Sequence, residues 1–148
     1  MLASAIALPV LSGAAWAGGG EDFGCSNAVL KGEYAFGVTT YSPVPGVVAG
    51  IKVFDGNGNL TQRDYIGDSS PAEFAPKGQE TGTYTVNSDC TGTATINYPD
   101  GSWINLELVV VSHGREFHTV VSSLSMAGVL QPANIGSTGV RVENMEGH

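Results

Sequence analysis

Hydrophobic and polar residues alternate with a period of two along most of this chain, the spacing of strands whose successive side chains point to opposite faces. In Lys31–Tyr41, Tyr34, Phe36 and Val38 share one face, while Glu33, Ala35, Gly37 and Thr39 share the other. Val47–Asp55 follows, with Ile51 and Val53 expected on the apolar side and Lys52 opposite. Leu60–Tyr65, Thr81–Asn87 and Thr91–Tyr98 continue the pattern, the last setting Ala94, Ile96 and Tyr98 against Thr93, Thr95 and Asn97. Ser102–Ser112 is the most apolar strand, with Ile104, Leu106, Leu108 and Val110 on one face and Trp103, Asn105 and Glu107 on the other. Glu116–Ser123, Leu124–Leu130 and Gly136–Val142 complete the set.

The breaks between these segments have mechanisms. Asp55-Gly-Asn-Gly-Asn59 offers residues that accept the positive φ of a tight hairpin turn. Pro99-Asp100-Gly101 presets one turn dihedral and accepts the reversed one. Gly67–Gly78, with Pro71 and Pro76, reads as the longest loop. No window shows a helical period with caps. Eight or nine strands joined by short turns predict an all-β, antiparallel up-and-down meander closed as a barrel, which hides its edges. A β-sandwich is the alternative, because inward and outward positions alternate in both.

The ends change the picture. Residues 1–17, MLASAIALPVLSGAAWA, carry no charge and finish on the small-x-small Ala15-Trp16-Ala17 of a signal-peptidase site. Residues 18–24 then read as a flexible glycine-rich entry, and 25–148 as a single β-barrel domain. The expected location is therefore exported, periplasmic or extracellular, with no membrane span once the leader is removed. In such a compartment Cys25 and Cys90 are expected to pair. A closed loop of about 65 residues confers on the order of 4 kcal/mol in the chain-entropy model.

Charge narrows the partners. Fourteen acidic and six basic residues give a net charge of −8, which repels phosphate backbones and anionic lipid, so no nucleic acid is expected. Asp55-x-Asn57-x-Asn59 imitates the start of a calcium loop. The sixth and twelfth positions hold Leu60 and Ile66 where glycine and glutamate are required, so it reads as a hairpin turn. His113, Glu116 and His118 cluster around one turn, but a solvated strand face explains them as well, and neither a metal nor a cofactor is assigned. No Gly-x-Ser-x-Gly elbow or phosphate loop is present in the sequence.

The runs Cys25-x4-Leu30-Lys-Gly32-x-Tyr34-x-Phe36, Phe54-Asp-Gly-x-Gly58-x-Leu60-Thr61 and Gly82-Thr-Tyr84-Thr-Val86-x3-Cys90-Thr-Gly92 resemble a group of small exported bacterial proteins. The Gly-x-Tyr opening and the meander are also similar to calycin-type barrels, meaning lipocalins and the allene oxide cyclase and dirigent barrels. Tyr34 stands where lipocalins carry tryptophan. The resemblance implies a fold and no catalytic residue.

An eight-stranded barrel has an interior just wide enough for one small ligand. The leading expectation is therefore a binding barrel for a small hydrophobic molecule, lined by Tyr34, Phe36, Tyr84, Tyr98, Leu106 and Phe117. A cyclase or isomerase is the enzymatic alternative and needs a polar group inside, for which Glu107 and His118 are the candidates. A third class is a structural protein that self-associates through strand edges.

Overall fold

The computed structural model describes residues 24–42, 46–67, 73–74 and 79–143. The expected leader and glycine-rich entry lie outside the described residues, apart from Gly24. The strands are β1 (Lys31–Ser42), β2 (Gly46–Asp55), β3 (Asn59–Gly67), β4 (Glu73–Phe74), β5 (Glu80–Val86), β6 (Thr91–Asn97), β7 (Trp103–Val111), β8 (Glu116–Met126), β9 (Val129–Gln131) and β10 (Asn134–Arg141). Each pairs antiparallel with its neighbour in the order β10-β1-β2-β3-β5-β6-β7-β8, and β10 pairs back onto β8. That last ladder closes an eight-stranded barrel, the predicted architecture. The short β4 adds to β3, and β9 adds to the far end of β8.

One end of the barrel is sealed. Here the 3-10 turn Asn27–Val29 leads into β1, and the Cys25–Cys90 disulfide ties that entry to the β5–β6 turn. Asn27 Oδ1 accepts the Val86 N–H at 2.7 Å, which latches the turn onto β5. Tyr34, Phe54, Tyr84 and Phe117 fill the space beneath it. Phe54 meets Tyr84 edge-on at 4.9 Å and Tyr34 edge-on at 5.3 Å between ring centroids, a favoured aromatic geometry. Phe117 lies flat enough over β10 that a Cβ at Gly139 would run into its ring, so glycine is required there by close approach.

Arg141 crosses this end from β10. Its guanidinium donates to the Tyr34 hydroxyl at 2.8 Å and to the carbonyls of Val29 at 3.0 Å and Gly114 at 3.2 Å. Tyr34 in turn donates to Gly114 O. A buried phenol and two turn segments are thereby satisfied around one cation. The hairpin at the same end is an Asx turn. Asp55 Oδ1 accepts N–H bonds from Asn57 at 2.7 Å and Asn59 at 2.9 Å, and these bonds, with the Asn59 side chain first, hold its carboxyl below the usual range. The carboxylate that imitated a calcium ligand is occupied in shaping the turn.

Three expectations are overturned. β2 turns Lys52 into the barrel, 3% exposed, and leaves Ile51 and Val53 on the outer side. The reason is Phe54: burying its ring among Tyr34, Tyr84 and Phe117 fixes the parity of the strand, and Lys52 shares that parity. β8 does not stop at Ser123. It runs on to Met126 through a bulge opposite Asn105/Leu106 and then turns at Ala127–Gly128, both at positive φ. Met126 is consequently 47% exposed beyond the bulge. The stretch Gly67–Gly78 also contains β4, which a two-residue pattern could not announce.

Candidate functional site

Strands in a closed barrel are staggered, so a row of side chains hydrogen-bonded neighbour to neighbour climbs from one end to the other. One inward row here is Arg141–Tyr34–Lys52–Gln62–Glu80, each residue directly opposite the next in the ladders β10–β1–β2–β3–β5. It starts at the sealed end and finishes where β1 stops and β2 starts, and where β3 stops and β5 starts. Asp64 stands two residues above Gln62 on the same face, and Tyr98 follows Asn97, itself opposite Thr81, at the end of β6. Lys52, Gln62, Asp64 and Glu80 are all buried, at 3%, 3%, 6% and 4% exposure. The interior is therefore apolar and aromatic at one end and polar at the other.

The hydrogen bonding is specific. Gln62 Nε2 donates to Glu80 Oε2 at 2.7 Å and to Asp64 Oδ2 at 3.2 Å. Gln62 Oε1 is buried with no hydrogen-bond partner among the described residues. The Lys52 ammonium sits 5.1 Å from the Phe36 ring centroid and 5.4 Å from that of Phe117, within cation–π range of both.

Electrostatics follow from burial. Desolvation pulls Lys52 down from 10.5 to about 8, resisted by the charges of Glu80 and Asp64. Desolvation pushes Glu80 up from 4.5 to about 7, reinforced by the charge of Asp64. Asp64 is also raised by burial, against hydrogen bonds from Glu80 and Gln62 and the charge of Lys52. The two acids titrate as a unit, with Glu80 carrying the proton it donates to Asp64. Burial, then Glu80 and Asp64, raises the Tyr98 phenol, which stays protonated. Near neutral pH the site thus holds one cation, one shared proton and one carboxylate charge.

Comparison with known proteins adds fold and nothing finer. No family model matches the chain, and no curated protein matches it. Among solved structures, a redesigned beta barrel is similar, with 15% identity and a TM-score of 0.52 over 79% of this chain and 95% of that one. At that identity the likeness concerns the barrel alone.

All six expected lining residues lie in or against the core. Tyr34, Phe36, Tyr84, Leu106 and Phe117 are buried in one cluster, and Tyr98 is half-buried against it. They do not share one role. The Tyr34 hydroxyl is engaged by Arg141 and Gly114, and that of Tyr84 lies 2.9 Å from both Asn27 O and Leu30 O. Polar contacts at the other end therefore come from Lys52, Gln62, Asp64, Glu80 and Tyr98 instead.

Glu107 is exposed on the outside of β7. His118, 50% exposed, contacts Glu116 at 2.9 Å and Thr138 at 3.1 Å. Neither belongs to the interior, which removes the polar group on which the enzymatic alternative was built. Beside His118, a shallow outer groove of about 290 Å³ runs over Gly37, Thr39, Gly136 and Thr138. Among the described residues no three His, Cys, Asp or Glu side chains group as metal ligands.

Reading the strands outward from their buried apolar anchors exposes the missed residues. Phe54 is followed on its face by Lys52, Leu60 by Gln62 and Asp64, and Tyr84 by Gly82 and Glu80. Three adjacent strands become polar in the same direction along the barrel. Only the ladder register reveals that the three changes meet.

Proposed function

We propose that this protein is an exported, calycin-like binding barrel that seats the polar end of a small apolar molecule against Lys52, Gln62 and Glu80. The carrying observation is that buried polar row. Burying ionisable groups costs several kcal/mol per charge unless partners offset it, and apolar residues would fill a barrel at lower cost. Such a group recurs where chemistry or recognition needs it.

The sealed end is solid with aromatic side chains, so the ligand occupies the other half of the interior. Its apolar body packs against Val38, Val48, Tyr98, Ile104 and Val121, which are half-buried and line the inward face there. Gln62 Oε1 accepts a ligand hydroxyl or N–H, and Lys52 donates to a carbonyl or ether oxygen. Export is supported by the leader-like residues 1–17 and by the Cys25–Cys90 disulfide. No helix among the described residues is long and apolar enough to cross a membrane. The Gly32-x-Tyr34 opening at the sealed end supports the calycin comparison.

A second reading, a barrel enzyme, gains from the same residues. An acid held near neutrality beside a depressed lysine can exchange protons with a bound substrate.

Native mass spectrometry of the protein purified gently from its own host, followed by organic extraction, tests the binding reading. The expected result is one small apolar compound per chain, lost when Tyr98→Trp and Val38→Trp fill that half of the interior. A clean ligand-free mass, together with no binding of the neutral probe N-phenyl-1-naphthylamine, overturns it. A compound released in chemically altered form favours the enzyme.

A further inference from the structure

We propose that the ligand is an aldehyde or ketone and that Lys52 captures it as a covalent imine. This rests on the binding reading above and assigns the chemical class that the site takes. Lys52 is placed for the reaction by three features. Its amine lies inside the barrel between the Phe36 and Phe117 rings, where bulk water does not compete for the carbonyl carbon. It stands directly across the ladder from Gln62, whose own amide is anchored by Glu80 and Asp64, so the acids face the same space. None of the described carboxylates comes within 4 Å of it as an ion pair, so the ammonium is not locked into a salt bridge that would withhold its lone pair.

Asp64 on β3, Glu80 on β5 and Tyr98 after β6 are the titratable groups around it. β1 and β8 present Phe36, Phe117 and Thr119, and β10 presents Ser137, Gly139 and, at the sealed end, Arg141. A lysine desolvated in this way is a recognised route to an amine nucleophile.

The step balances within the site. The lone pair of neutral Lys52 Nζ attacks the carbonyl carbon, and the C–N bond forms as the C=O π pair moves to oxygen. That oxygen takes the proton of Glu80, and the nitrogen returns one proton to the Asp64–Glu80 pair, leaving a neutral carbinolamine. A second proton transfer to the hydroxyl lets water leave as the C=N bond forms. Amine and carbonyl become imine and water, with no oxidant or reductant. The iminium form has Asp64 and Glu80 as counter-ions, and the apolar remainder of the ligand slows its hydrolysis.

The chain has three lysines, which makes the test internally controlled. Lys31 is exposed on the outer face of β1, and Lys77 lies outside the described residues. With Lys52 at about 8 rather than 10.5, its neutral fraction at pH 7 is about 300-fold that of an ordinary lysine. The full chain is incubated with decanal and sodium cyanoborohydride, digested with chymotrypsin, and the reductively trapped decyl groups are mapped by mass spectrometry. In parallel, binding of decan-1-ol is measured by displacement of N-phenyl-1-naphthylamine.

The expected result is one decyl group on Lys52, at least tenfold over Lys31, with a labelling rate that is highest between about pH 7 and 8, where part of Lys52 is neutral and part of Glu80 still holds its proton. Lys52→Met abolishes this label. Decan-1-ol binding without preferential Lys52 labelling in the unaltered chain overturns the imine alone. Failure of both overturns it together with the binding reading. Because the Lys52-to-Lys31 ratio is read within one unaltered molecule, the outcome does not depend on a variant folding.

Discussion

The two ends of this barrel interior are built from opposite physical materials. At the sealed end, four aromatic rings, a disulfide, an Asx turn and a hydrogen-bonded arginine converge, and every hydroxyl there is spent on structure. At the other end, four polar side chains are buried together, two acids share a proton, and an amide oxygen has no partner among the described residues. One end gains stability from contacts that leave nothing free. The other carries desolvation cost and retains groups able to interact further. The same eight strands run through both, so the difference is a choice of side chains along each strand. Stability and reactivity are separated by about half a strand length.

The comparison fails most visibly if the sealed end is not the stabilising one. Phe54→Ala removes the ring that touches Tyr34, Tyr84 and Phe117, and should cost about 3–5 kcal/mol in urea unfolding. A loss below about 1 kcal/mol would mean that the aromatic cluster repacks and that its fixed geometry is not what closes the barrel. Next in size is Arg141→Met, which keeps the length of the side chain and deletes its donors. Leaving the Val29 carbonyl without its guanidinium donor, and the Tyr34–Gly114 hydrogen bond without its support, should cost about 2–3 kcal/mol. Hydrogen exchange should rise at the two 3-10 turns before it rises in β5–β6.

The smallest effect is expected at the polar end. Lys52→Met/Asp64→Asn removes one charge of each sign, and should leave stability at pH 7 unchanged or raised by up to about 2 kcal/mol. A loss of 3 kcal/mol or more would place the polar row among the stabilising elements and erase the contrast.

Dependence on pH sharpens the same contrast. Between 4.5 and about 7, folded Glu80 keeps a proton that the unfolded chain releases, so its contribution to stability falls as pH rises. Between about 8 and 10.5, the unfolded chain keeps the Lys52 proton that the folded protein has lost, so stability rises with pH. These two groups together predict a shallow minimum between about pH 7 and 8 in thermal or urea unfolding. The double variant should abolish the alkaline rise and leave only the acid branch of Glu80.

Much of the fold was legible because its signals are local. Period-two alternation in β1, β6 and β7 matched the buried faces, and Asp55–Asn59 turned where its glycines allow positive φ. The cysteines were readable as a pair because the leader-like residues 1–17 pointed to an oxidising compartment. β2 was not legible by itself. Val47, Val48, Ile51 and Val53 make both of its faces apolar, so a strand-by-strand reading assigned the lysine to solvent. The polar group was missed for the same reason, since Gln62, Asp64 and Glu80 each look like the solvated side of a short strand. Glu107 and His118 attracted attention instead because they are conspicuous in sequence, and both proved external.

The sequence by itself thus determined the strands, their turns and the all-β class, because each depends on residues within a few positions of one another. Barrel closure, the inward face of β2 and the meeting of Lys52, Gln62 and Glu80 were decided only by the tertiary structure. Their cause is register between strands: a one-residue slip would turn Lys52 outward, and the burial of Phe54 among three distant rings forbids that slip.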